Sequence, residues 1–99
     1  MLIDAEPHRA LPSPEALRLG VSERAVLRTL VESAGRVLSR AELARRSGLT
    51  DLHTRRCDAV IVNIRRALGP ESIRTVRSRG WMLQREVVDE AESLLDLAS

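Results

Sequence analysis

The sequence predicts one small domain of the α+β class, mainly α-helical, with a three-helix core, a C-terminal β-hairpin and an extra amphipathic helix. Between residues 19 and 68, apolar residues recur every three or four positions, which is typical of amphipathic helices. Residues 73–83 read as two short strands around a turn, and residues 85–97 return to helical spacing. The predicted boundaries are an N-terminal extended segment at 1–18, the main domain at 19–84 and an acidic amphipathic helix at 85–99.

Composition limits the class of protein. The 99 residues allow only a modest core, and aliphatic side chains must build it because Trp81 is the only aromatic residue. No apolar run is long enough to cross a bilayer, and the N-terminus lacks the layout of a secretory signal. The single cysteine, Cys57, makes neither a disulfide framework nor a cysteine-based zinc site. We expect a cytoplasmic protein without a metal or other cofactor.

The small net charge of +2 hides a strong segregation of charge along the chain. Residues 19–85 carry fourteen arginines against six acidic residues, a net charge of +8. Residues 86–99 carry five acidic residues and no base, whereas residues 1–18 have a net charge of −1. All sixteen basic residues are arginine, which a GC-rich genome would also explain. The basic body nevertheless indicates an anionic partner, and guanidinium groups suit phosphates and guanine edges.

The first two helices have clear boundaries, although the segment before them does not. Residues 1–15 contain three prolines and are expected to be extended, while residues 15–19 suit either a helical turn or a strand. The first helix starts at Gly20 or Ser22 and ends before Gly35. Its apolar stripe consists of Val26, Leu27, Leu30 and Val31. The second helix opens with a capping box at Ser39–Glu42 and stops at Ser47–Gly48, after a short extended link at 36–38.

The third helix is predicted from His53 or Thr54 to Leu68, where Gly69–Pro70 ends it. At 100° per residue, its core face contains Cys57, Ile61, Ile64 and Leu68, with Val60 at the border. Its opposite face contains Arg55, Arg56, Ala59, Val62, Asn63 and Arg66.

This outward face suits the reading of DNA bases. The Asn63 amide matches an adenine edge, Ala59 or Val62 matches a thymine methyl, and the arginines match phosphate or guanine. The alternative is an ordinary solvated helix face, although an exposed valine such as Val62 is less typical of such a face.

The hairpin favours a nucleic-acid ligand. Arg77 and Arg79 flank its tip, and Thr75 supplies a further donor along the strand. Two neighbouring cations at a tip repel each other, and an anionic ligand relieves that repulsion. A helix followed by a basic hairpin is also the order of elements in a winged helix-turn-helix, where the helix enters the major groove.

Three segments in order, GRVLSRAEL (35–43), IRRALG (64–69) and IRTVRSRGWML (73–83), resemble the effector domain of OmpR/PhoB-type bacterial response regulators. The resemblance covers about residues 19–83. It implies that the third helix is the recognition helix and that residues 36–38 form a strand beside the wing. It also implies that Thr75 contacts a phosphate and Arg77 the minor groove. The resemblance further implies that Asp58 and Arg65 hold the third helix in place and that Trp81 packs into the core.

The chain also departs from that family pattern. No receiver domain precedes the winged helix in this sequence, and the N-terminal segment is short for the family's four-stranded platform. The centre of the third helix has Val60, Val62 and Asn63, where relatives often carry basic or polar groups. The first departure argues against dimerisation controlled by phosphorylation, and the second indicates a base specificity that is either unusual or weak.

The tail at 85–97 has an apolar stripe with acidic groups on its remaining face. Three interpretations are open: it packs on its own domain, it docks a second copy or another protein through residues 86–99, or its acidic face shields the basic surface.

The sequence has no recognisable arrangement of a catalytic nucleophile or of metal ligands. His8 and His53 each stand alone, and Cys57 falls on the core face. We therefore expect that the protein is not an enzyme. The sequence indicates a stand-alone bacterial transcriptional regulator that binds double-stranded DNA near the nucleoid, as a single chain or a homodimer. The alternative is a winged-helix protein-interaction module.

Overall fold

The computed structural model describes residues 19–98 and the side chains of residues 19–96. The expectations for the N-terminal segment at 1–18 lie outside this range. Four α-helices and one hairpin follow each other along the described chain. They are α1 (Val21–Glu32), α2 (Arg40–Ser47), α3 (Thr54–Leu68), β1 (Ile73–Val76), β2 (Gly80–Leu83), a 3₁₀ turn (Arg85–Val87) and α4 (Val88–Ala98). This arrangement confirms the α+β winged-helix architecture. No helix of this part of the chain is long and apolar enough to cross a membrane.

Helix α1 is the central element of the core. Gly20 is its N-cap residue, and the Gly20 N–H donates to Glu23 Oε1 at 3.1 Å. Of the two predicted starts, Gly20 is therefore correct, and Ser22 lies inside the first turn. The helix buries Val26, Leu27 and Leu30 completely, as the stripe predicted. It ends at Glu32, and the following turn brings the Gly35 N–H onto the Leu83 carbonyl oxygen at 3.0 Å.

The capping box of α2 is confirmed in both directions. The Glu42 N–H donates to Ser39 Oγ, and the Ser39 N–H donates to Glu42 Oε1, each at 3.1 Å. The backbone hydrogen bond from Ser39 lowers the pKa of the Glu42 carboxyl below its usual value, because it stabilises the ionised form. Gly48 ends the helix in the left-handed conformation.

The wing is an antiparallel pair in which Thr75 faces Trp81 and Ile73 faces Leu83. The predicted third strand is reduced to a single bridge between Leu38 and Trp81. Two backbone hydrogen bonds make this bridge, from Leu38 N to Trp81 O at 2.8 Å and from Trp81 N to Leu38 O at 2.9 Å. They hold β2 of the wing against the link between α1 and α2. Trp81 is half-buried against the core, which agrees with its expected role as a plug.

Helix α4 packs on its own domain, the first of the three interpretations of the tail. Ala91, Leu94 and Leu95 are buried in the same core cluster as the α1 side chains, and α4 packs against α1. The apolar face that would dock a partner is thus already covered. Among the described residues, no ion pair joins an α4 carboxylate to an arginine, so the structure does not show the acidic face shielding the basic surface. That face remains exposed at Asp89, Glu90, Glu92 and Asp96.

Candidate nucleic-acid interface

Helix α3 is anchored in the core by the face that the sequence predicted. Cys57, Ile61 and Ile64 are buried, and Val60 is buried with them, at 1% exposure. Burial raises the pKa of the Cys57 thiol to about 11, and the charge of Asp58 acts in the same direction. The thiol therefore stays protonated at neutral pH and packs as a small apolar group. At the start of the helix, His53 Nδ1 accepts the Arg56 N–H at 3.3 Å.

The opposite side of α3 carries a row of exposed side chains, which we call the outer strip: Arg55, Ala59, Val62 and Arg66. These residues are spaced by four, three and four positions, so they lie along one line of the helix. Val62 is 43% exposed, one of two large apolar side chains so exposed in the described chain. The strip thus has a guanidinium group near each end and only apolar side chains between them.

The other two predicted base-reading residues lie on the flank that faces α1. The Arg56 guanidinium donates to Ser22 Oγ at 2.8 Å, and it remains exposed. The half-buried Asn63 donates its amide Nδ2 to Glu23 Oε2 at 2.9 Å. Since the other oxygen of the same carboxylate caps α1, Glu23 joins the start of α1 to the middle of α3. One donor hydrogen of Asn63 is thus already used within the scaffold, and its role in reading adenine stays a prediction.

Replacing Asn63 by alanine is expected to reduce stability without changing base preference. A charge-assisted hydrogen bond to a carboxylate contributes about 1.5–3 kcal/mol when it is buried. Because this one is partly exposed, we expect the substitution to lower the free energy of unfolding by ~1 kcal/mol. Urea denaturation measures the change in unfolding free energy, and selection from a random duplex pool measures the preferred bases. If the variant keeps its stability but prefers a different base at one position of the selected site, Asn63 contacts that base.

The wing tip presents its two arginines to solvent. Arg77, Ser78 and Arg79 are all exposed, and Ser78 turns the chain with a φ of 65°. The Arg79 N–H closes the turn on the Val76 carbonyl oxygen at 2.9 Å. Neither guanidinium group has an acidic partner among the described residues. Both are therefore free to bind an anion.

Arg65 fixes the wing to α3. Its Nε and Nη2 atoms donate to the Ile73 carbonyl oxygen at 3.0 and 2.6 Å, and Nη2 also donates to Thr75 Oγ1 at 2.8 Å. The Thr75 hydroxyl thus accepts from Arg65 and keeps its own proton for another acceptor. This matches the scaffold role that the family resemblance implied for Arg65. Asp58 departs from that expectation, because it is exposed and its carboxylate makes no hydrogen bond or ion pair within the described chain.

An open groove of about 570 Å³ runs between the wing and the starts of α2 and α3. Its lining includes Ser39, Arg40, Thr54, Thr75, Arg79 and Trp81. Arg40 was not among the residues expected at the interface; it follows the α2 cap and donates to the Leu52 carbonyl oxygen at 2.8 Å. The signal was present in the sequence, since the first residue of a capped helix stands beside free backbone N–H groups that attract anions. The groove therefore joins donors from α2, α3 and the wing.

Comparisons with known proteins agree with this geometry. Residues 14–83 match the family model described as transcriptional regulatory protein, C terminal. The response regulator protein PmrA of Pseudomonas aeruginosa is 36% identical over 83 residues, covering 80% of this chain and 37% of PmrA. The phosphate regulon transcriptional regulatory protein PhoB of Rhizobium meliloti is 35% identical over 88 residues, covering 83% of this chain and 39% of PhoB. No solved structure matches the chain.

The chain spans about two-fifths of the length of these two relatives. The family match covers the helices α1 to α3 and the wing, which are the elements that form the groove and the outer strip. This family consists of DNA-binding domains of transcription regulators and is not an enzyme family. On this fold, these motifs and these matches, the chain belongs to the OmpR/PhoB-type C-terminal domains of transcriptional regulatory proteins.

Proposed function

We propose that this chain binds double-stranded DNA in a sequence-dependent way and acts as a bacterial transcription regulator. Helix α3 lies in the major groove, with its outer strip toward the bases, and the wing lies on the backbone or in the minor groove. The observation that carries this proposal is the groove in which Arg40 at the start of α2, Thr54 of α3 and Arg79 of the wing stand together. One phosphate backbone fits such a groove, because it offers acceptors to all three elements at once.

Affinity and specificity come from different parts of this interface. Contacts from Arg77, Arg79 and Arg66 to phosphates supply a salt-dependent attraction that is independent of sequence. The Thr75 hydroxyl, held by Arg65, adds a directed hydrogen bond to a phosphate oxygen. The outer strip then supplies whatever choice among bases the protein makes, since only base edges in the groove carry sequence information.

The proposal includes DNA binding by this domain without help from a second one. In support, the buried side chains of α4 and α1 belong to one apolar core cluster of the described residues. The names of the two relatives describe a response regulator and a regulator of the phosphate regulon. The proposal does not assign to this chain the signals to which those proteins respond. Titration of a bound duplex at concentrations well above the Kd counts the chains per site and distinguishes a homodimer from a single chain.

Replacing Arg77 or Arg66 by alanine is expected to weaken DNA binding about tenfold and to flatten its salt dependence. Removing one phosphate interaction reduces the steepness of log K against log salt concentration by about 0.9. Fluorescence anisotropy with a duplex of about 20 bp at several salt concentrations measures both quantities. Arg28→Ala is the matched control, since Arg28 is an exposed arginine of α1 outside the strip, the wing and the groove. If the Arg77 and Arg66 variants behave like this control, the proposed interface is wrong.

A further inference from the structure

We infer that the outer strip recognises the C5-methyl groups of pyrimidines, thymine above all, at two neighbouring base pairs in the centre of its site. The inference rests on the proposed function and adds the chemistry by which α3 selects its sequence. Ala59 and Val62 make the methyl contacts, and Arg55 and Arg66 bind the two flanks. The centre of the strip then contacts apolar groups of the DNA, and the guanidinium groups at its ends contact negatively charged or acceptor groups.

The centre of the strip has no side-chain hydrogen-bond donor. The exposed residues between Arg55 and Arg66 along this line are Ala59 and Val62. Asp58 lies beside them on one flank, and Arg56, on the other flank, donates to Ser22 Oγ. Asn63, the nearest amide, is turned toward α1 by its hydrogen bond to Glu23 Oε2. The Asp58 carboxylate is only an acceptor, which suits the amino groups of adenine and cytosine alike and does not choose between them.

Val62 exposes an unusually large apolar surface for this part of the chain. A side chain of this type that is 43% exposed on a basic surface gains by covering an apolar group of a ligand. Base edges in the major groove offer one such group, the C5-methyl of thymine, and 5-methylcytosine carries the same group. A methyl removed from water at such a contact contributes about fourfold in affinity.

The spacing of the strip residues along α3 matches the spacing of base pairs. Ala59 and Val62 are separated by a rise of about 4.5 Å along the helix axis, slightly more than the roughly 3.4 Å between base pairs. They therefore reach neighbouring base pairs. Arg55 and Arg66 are about 16 Å apart along the axis, which corresponds to about five base pairs and places them on either side of the methyl contacts.

The test starts with the 99-residue chain and a pool of random duplexes of about 20 bp, from which bound sequences are enriched. The inference expects two adjacent pyrimidine positions occupied by thymine at the centre of the selected site. Deoxyuridine in place of thymidine then removes only the methyl and keeps the base pair. At the two central positions this change is expected to weaken binding roughly three- to tenfold, and elsewhere by less than about twofold.

The protein side of the same contact is tested with Val62→Ala. This variant is expected to bind the thymidine duplex about as weakly as the original chain binds the deoxyuridine duplex, and to lose its response to deoxyuridine. Val21→Ala is the matched control, since Val21 is the other large apolar residue exposed in the described chain, at 71%, and lies on α1. That control is expected to keep the full response.

Two further duplexes separate the possible sources of the methyl. A duplex with 5-methylcytosine·guanine at the central positions that binds as tightly as thymine assigns recognition to the methyl alone. Stronger binding to thymine shows that the rest of the T·A pair contributes as well. Tight, salt-dependent binding with no response to deoxyuridine overturns the inference and leaves the proposed function intact. Failure to bind any duplex at low salt overturns both.

Discussion

Deletion of residues 86–99 is expected to unfold the domain, and not merely to release a docking tail. Helix α4 buries Ala91, Leu94 and Leu95 in the core cluster, where they cover side chains of α1. A buried leucine contributes about 2–3 kcal/mol by area, and its removal also exposes the surface that it covered. The total is about 5 kcal/mol or more, comparable with the whole stability of many domains of this size.

Urea denaturation followed by circular dichroism measures this effect. The truncated chain is expected to lose its cooperative transition, and Leu94→Ala is expected to retain the transition with about 2–4 kcal/mol less stability. The matched control keeps α4 and removes the exposed charges by replacing Asp89, Glu90, Glu92 and Asp96 with their amides, which leaves the core intact. A truncated chain that unfolds as cooperatively as the full chain would contradict this role of α4.

This control also addresses the protein-docking alternative. If truncation unfolds the domain, it removes DNA binding and protein docking together and cannot distinguish them. Neutralising the acidic face keeps the domain folded and changes only the surface that would dock a protein. An altered interaction with a protein partner after neutralisation, with DNA affinity unchanged, would support that alternative.

Substitution of Gly80 by alanine is expected to detach the wing from the α1–α2 link. Gly80 has a φ of 144°, and a Cβ placed there would collide with the Leu38 carbonyl oxygen. That oxygen is held by the Trp81 N–H, so the methyl group cannot be accommodated without breaking the bridge. Backbone strain costs about 1–3 kcal/mol, and breaking two backbone hydrogen bonds adds about 1–3 kcal/mol. The expected destabilisation is therefore about 2–6 kcal/mol.

Gly48→Ala is the matched control for this substitution. Gly48 also has a positive φ, 78°, but a Cβ there has no atom within 4 Å. Its expected cost is about 1 kcal/mol from the backbone conformation alone. Thermal and urea denaturation give both values, and DNA affinity is expected to fall only for the Gly80 variant, because only that variant displaces Arg77 and Arg79. Equal losses at the two glycines would show that the close approach to Leu38 is unimportant.

Much of the fold was predictable because its signals are local. The capping box at Ser39–Glu42, the glycines that end α2 and α3 and the periodicity of the core residues each involve neighbours in sequence. The contact of residues 36–38 with the wing came from the family resemblance instead, and the structure reduces it to one residue, Leu38. The two sides of α3 were also predicted, since a helical wheel depends on spacing alone.

The flanks of α3 show where such reasoning stops. A helical wheel gives the direction of a side chain from its own axis and says nothing about which neighbour stands there. Asn63 was expected to face the bases, but packing of α1 beside α3 places Glu23 within 2.9 Å of its amide. Arg40 has a local signal in the sequence, the capped start of α2, but the groove beside it exists only where α2, α3 and the wing meet.

The amino-acid sequence thus established the order of the elements, the buried face of each helix, the basic wing and the family. The packing of the elements assigned the partners: Glu23 to Asn63, Ser22 to Arg56, Arg65 to the wing, and α4 to α1. The physical reason is the range of the interactions. Helix caps, turns and periodicity act over a few residues, whereas side chains far apart in the sequence meet only after the apolar faces have packed.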